Sequence, residues 1–248
     1  MSSTSETGHA KNVANFEDLI SFCTGYGTAY NPSKNSIKLP ALNTLFTNSK
    51  NSLIAVTSAT TAFNNAVNAR VIVFDPLRKL TTRILNALAA TDASQQTIDD
   101  AKTITRKIQG RRASDKIATV LDNPNTPENE AQRSISASQQ SYDNLIEHFS
   151  KLKDLLSAEP LYVPNENDLK ITALTTLLND FKAKNTAVVN ATTVLSNSRI
   201  SRNDTLYKKY TGLVDIAQEV KKYVKSVFGA TSSQYKQISA LQFRKVKN

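Results

Sequence analysis

An internal duplication limits what this chain can fold into more than any other feature of the sequence. At an offset of 132 residues, Tyr30 to Arg70 aligns without a gap to Tyr162 to Arg202, and sixteen of the forty-one positions are identical. Matched pairs include Tyr30 with Tyr162, Pro32 with Pro164, Lys38 with Lys170, Ala59-Thr60-Thr61 with Ala191-Thr192-Thr193, and Arg70 with Arg202. The similarity extends on both sides: Phe16 to Ile20 resembles Tyr142 to Ile146 at an offset of 126, and Leu88 to Thr91 resembles Phe228 to Thr231 at 140. Convergence of two helices on one composition would not produce the shared Tyr-x-Pro loop. Duplication and fusion predict two similar helical units, 13–121 and 132–248, related by a pseudo-twofold axis. A turn-rich linker at 122–131 joins them, 1–12 is a disordered tail, and the two repeats pack as one domain.

Periodicity is helical throughout, so the fold class is all-α, a long-helix bundle with a four-helix-bundle-like core. The duplicated segment reads as a long helix in each half. No Gly interrupts it from Ala41 to Phe74 or from Asn165 to Thr211, and about 30 residues would span about 45 Å. Leu206, Tyr210, Leu213, Ala217, Val220, Val224 and Phe228 continue in steps of three and four as one stripe over six turns. Asp75-Pro76 reads as a cap and first turn, Ser94 as the start of a helix ending at Gly110, and Val71 to Phe74 as the buried end of a helix. From Asn51 to Ala69 there is no charge, yet only ten of the nineteen residues are apolar, which is too few for a membrane span.

Residues that commonly carry catalysis are scarce. One Cys and two His leave too few soft ligands for a structural zinc site and no disulfide framework within the chain. Six glycines form no phosphate-binding loop. Cys23 reads as a small buried hydrophobe, His148 as a surface or boundary residue without a partner His at helical spacing, and His9 as part of the tail. Asp99 and Asp100 are adjacent, so they diverge on a helix and fit a solvated N-terminus. Tyr30 and Tyr162 read as loop anchors beside their prolines in preference to repeated binding contacts. The chain is therefore expected to be non-enzymatic, with no catalytic, cofactor or metal site. The N-terminus lacks the apolar core of a signal peptide, so the cytoplasm is the expected location.

Charge offers the one functional signal. The formal net charge is +10, distributed as +1 over 1–69, +5 over 70–116, −4 over 117–198 and +8 over 199–248. The candidate anion or nucleic-acid contacts are Arg106, Lys107, Arg111 and Arg112 in the first half, and Lys221, Lys222, Lys225, Arg244, Lys245 and Lys247 in the second. If brought together they would give salt-dependent, sequence-independent binding. A solvated basic face is the blander expectation, and no motif for specific base readout accompanies these residues. The favoured reading is an interaction or structural protein that meets a protein partner or a second copy of itself, with nonspecific nucleic-acid binding second.

Arg202-Asn203, Leu206-Tyr207, Gly212 to Asp215, Tyr223 to Gly229 and Gln234-Tyr235-Lys236, with Arg106 to Gly110 in the first half, resemble an uncharacterised family of duplicated all-helical proteins of the Bacteroidota. The resemblance implies a bacterial, cytoplasmic origin and carries no activity or site.

Overall fold

The computed structural model describes residues 4–111 and 140–245. Among the described residues the fold is all-helical, in eight α-helices: α1 (Thr4–Gly25), α2 (Leu39–Phe74), α3 (Leu77–Ala89), α4 (Gln95–Gln109), α5 (Tyr142–Ala158), α6 (Ile171–Tyr207), α7 (Leu213–Phe228) and α8 (Ser233–Ser239). Two single 3-10 turns precede α2. The 36 residues of α2 and the 37 of α6 correspond to about 54 and 56 Å.

The chain divides into two compact units, and neither is a sequence half. A terminal unit contains Met1–Asn64 and Asn190–Asn248, and a central unit contains Asn65–Val189. The compact units do not follow the boundaries 13–121 and 132–248, since each takes helices from both sequence halves. In the terminal unit α1, from the first half, packs on α7 and α8 from the second. In the central unit α5, from the second half, packs on α4, which packs on α3. The linker expected at 122–131 lies outside the described residues.

Each unit has its own core. In the terminal unit Phe16, Leu19 and Cys23 on α1 meet Leu213, Ala217, Val220 and Val224 on α7 and Ile238 on α8, the stripes that three- and four-residue spacing places on one face. Burying each large aliphatic side chain contributes about 1.5–3 kcal/mol. The core of the central unit is built around three phenylalanines. Phe181 stacks on Phe74 with centroids 4.2 Å apart and meets Phe149 edge-on at 5.3 Å, while Leu77, Ile84, Leu88 and Ile108 close the remainder. In the terminal unit α2 and α6 meet through a small cluster of Val56, Ala59 and Leu195.

Local signals fix several boundaries. Ser94 Oγ accepts the Thr97 N–H at 3.1 Å, and Gly110, at φ 69°, ends α4 in the left-handed conformation, as a glycine readily does. Asp75 provides no cap: the helix begins at Leu77 behind Pro76, with no side-chain hydrogen bond at the cap. The expected tail is also absent over its described part, because α1 starts at Thr4 and His9 and Asn12 are buried. The six-turn stripe from Leu206 is broken. α6 stops at Tyr207 and α7 begins at Leu213, with Tyr210 at φ 69° between them and its N–H bonded to Asp215 Oδ2 at 2.9 Å. A Cβ on Gly212 would lie 2.6 Å from the Lys208 backbone nitrogen, so this junction requires a glycine.

Candidate functional site

The basic candidates do not gather in one unit. Arg106 and Lys107 occupy the last turn of α4 and Arg111 follows it, all in the central unit. Lys221, Lys222, Lys225, Arg244 and Lys245 belong to the terminal unit. Arg112 and Lys247 lie outside the described residues. Several of those described already have internal roles. The Lys221 ammonium donates to the carbonyls of Ser239, at 3.3 Å, and Leu241, and lies 5.4 Å from the Phe243 ring centroid. Burial pulls its pKa below the ordinary lysine value. Lys245 pairs with Asp215 at 3.0 Å, Lys225 stands 5.7 Å from the Tyr235 ring centroid, and Arg244 donates to Gln242 Oε1 at 2.7 Å. Lys222 is exposed on α7.

The other candidates are structural. Tyr30 Oη donates to the Ile37 carbonyl at 2.6 Å and Tyr162 Oη to the Leu169 carbonyl at 3.0 Å. Matched tyrosines thus close matched loops on the carbonyl seven residues ahead. Burial pushes the Tyr162 hydroxyl up to about 12, so neither loop offers a ready phenolate. Cys23 is fully buried, and its thiol is pushed up to about 12 by that burial, which makes it an unreactive core residue.

Both histidines are more enclosed than their sequence context suggests. His9 is only 1% exposed, with Nδ1 2.6 Å from the Tyr207 hydroxyl. His148 is buried on α5, and burial, reinforced by the Lys107 charge, lowers its pKa. Asp99 lies beyond the first turn of α4. Lys102 at 3.0 Å and Gln95 hold its carboxyl below the usual range, so an ion pair accounts for it and a helix N-terminus does not. Among the described residues no group of three or more His, Cys, Asp or Glu comes together at metal-binding spacing.

What the sequence did not single out is the outer surface of α2 and α6. In the terminal unit Ile54, Val194 and Ile200 are 55%, 56% and 58% exposed, and 51–64 and 190–198 contain no charged side chain. A depression of about 450 Å³ is lined by residues of both helices, among them Thr60, Phe63, Thr192, Leu195 and Arg199. In the central unit Val71, Ile72 and Val189 are likewise exposed on the same two helices. The signal was available as apolar residues left over once the buried stripe is assigned, but Ala, Thr and Asn on both sides of it blur the distinction. No described helix is long and apolar enough to cross a membrane.

No family model matches the chain, and neither do any curated protein and any solved structure in the comparisons made.

Proposed function

We propose that the protein is a non-enzymatic helical interaction module, built by duplication, that associates with a second copy of itself through the uncharged faces of α2 and α6. The observation that carries this reading is the combination, in the terminal unit, of Ile54 and Val194 exposed on two neighbouring helices without a charged residue among 51–64 and 190–198. Large apolar groups left exposed on stretches without charge favour association. A twofold contact lets one such face meet itself. Duplication is supported by the two Tyr-x-Pro loops, which close through the same hydrogen bond, and it carries with it the proposed pseudo-twofold relation of the two repeats. The similarity to the Bacteroidota family extends the proposal to a bacterial, cytoplasmic setting.

Sedimentation equilibrium over a wide concentration range tests the reading. Reversible self-association is expected, weakened about tenfold or more by Ile54→Glu with Val194→Glu, since tenfold corresponds to only about 1.4 kcal/mol. A chain that stays monomeric throughout rules this association out.

Nucleic-acid binding is the second reading. It is favoured by the exposure of Lys222 on α7 and of Lys107 and Arg111 at the end of α4, and weakened by the internal engagement of Lys221 and Lys245. Titration of duplex and single-stranded DNA and RNA at low salt decides it: absence of binding there removes the reading.

A further inference from the structure

After α8 the chain runs in a non-helical conformation from Leu241 to Lys245 along α1, and its main chain is held almost wholly by side chains. Asn12 brackets residue 244: its Nδ2 donates to the Arg244 carbonyl at 2.7 Å and its Oδ1 accepts the Arg244 N–H at 3.1 Å. One helical turn further on, Asn15 Nδ2 donates to the Gln242 carbonyl at 2.7 Å. From α7, Lys221 covers the carbonyls of Ser239 and Leu241. Asn12 and Asn15 are 2% and 5% exposed. Residues 242 and 244 are read through backbone atoms, and the intervening Phe243 turns toward Phe16, edge-on at 6.4 Å, and the Lys221 ammonium.

This is a recognition chemistry for extended peptides in general. Main-chain bonds at alternate residues provide affinity, and a side-chain contact at the residue between provides selectivity. Asn12 and Asn15, one helical turn apart, thus meet carbonyls two residues apart in the extended segment. The groove is not filled by its occupant: about 590 Å³ remains open beside it, lined by Gly8, Lys11, Asp18, Leu241 and Arg244 among others. The occupant's own Lys245 is paired with Asp215 at 3.0 Å, which favours a basic residue at that position.

We infer that the face of α1 bearing Asn12 and Asn15 is a binding site for an extended peptide with an aromatic residue followed by basic ones, and that the chain's own Gln242-Phe243-Arg244-Lys245 occupies it as an exchangeable internal ligand. A peptide offered in trans therefore meets a groove that is open for only a fraction of the time, and its apparent affinity is reduced by that fraction.

The test uses the full chain and a fluorescent peptide with the sequence of residues 240–245. Phe243→Ala weakens the internal ligand without altering the groove, so this variant should bind the peptide about tenfold or more tighter than the unmodified chain does. Arg244→Pro, which removes the N–H that Asn12 accepts, should act in the same direction. Adding Asn12→Ala to either variant should abolish the gain. No gain in binding by either variant, with helicity intact by circular dichroism, overturns the inference. Loss of the fold in both variants overturns it equally, because it would make the segment a required part of the core.

Discussion

The terminal and central units use one plan, and they differ where α1 differs from α5. Each unit combines a helix and a tyrosine-closed loop from one half of the chain with a pair of helices from the other. By sequence Phe16 matches Tyr142, which is the first residue of α5, whereas α1 has already run from Thr4. The extra turns of α1 carry His9, Asn12 and Asn15, three of the buried polar residues of the terminal unit. In that unit the segment after α8 returns to those turns through Asn12 and Asn15. In the central unit the end of α4 is instead held by Gln140, whose Nε2 donates to the Lys107 carbonyl at 2.7 Å. Both units pack aromatic rings, but the terminal one adds the buried polar side chains of His9, Asn12 and Asn15, whereas the fully buried rings of the central one, Phe149 and Phe181, pack against each other. The difference locates the specialised feature on one unit while leaving the shared plan intact.

The largest expected effect tests the aromatic side of the contrast. Phe181→Ala removes a fully buried ring in contact with Phe74 and Phe149 and should cost about 3–5 kcal/mol in denaturant unfolding. Hydrogen exchange should show the loss in α3, α4 and α5 before α7 and α8; equal loss in both sets would mean that the units are not separate cooperative bodies.

The shared plan makes a symmetrical demand. Tyr30→Phe and Tyr162→Phe each leave a loop carbonyl without its donor, and each should destabilise by about 1–3 kcal/mol. Clearly unequal values in thermal and denaturant unfolding would show that the two loops, alike in geometry, are not alike in energy. Ser94→Ala and Ser232→Ala remove the caps of α4 and α8, whose hydroxyls accept N–H bonds of the same length, 3.1 Å. About 1 kcal/mol each is expected for these.

The smallest effect is electrostatic. The Tyr210 N–H and then Lys245 hold the Asp215 carboxyl below the usual range. A depressed folded pKa means that its contribution is complete above the ordinary carboxylate value and fades as the pH falls through that value to the depressed one. Asp215→Asn should therefore flatten the acid limb of the stability profile. Asp168, held low by Arg83 in the central unit, is an exposed pair, so Asp168→Asn should matter less and its effect should shrink with added salt.

Much of the local structure was legible in the sequence because its causes are local. Ser94 and Gly110 bound α4 through bonds to residues a few positions away, and Cys23 is a core residue because it lies on the apolar stripe of α1. What could not be read depends on distant residues. His9 and Asn12 looked like tail until their partners, Tyr207 and Arg244, arrived from 198 and 232 positions away. The break after Tyr207 was hidden because Leu206, Tyr210 and Leu213 keep helical spacing across a turn. The mixing of helices from both halves in each unit is invisible to periodicity, since an apolar stripe of helical spacing fits a partner from either half equally well. Among the charged candidates, composition could not separate Lys221, which holds two carbonyls, from Lys222 on the exposed face of the same helix.

Fragments 1–121 and 132–248 test the mixing of helices from both halves most directly. Each compact unit takes helices from both halves, so each fragment alone should lack cooperative unfolding by circular dichroism, and mixing the two should restore the helicity and melting of the intact chain. Two fragments that fold independently and gain nothing on mixing would show that the compact units are the sequence halves after all.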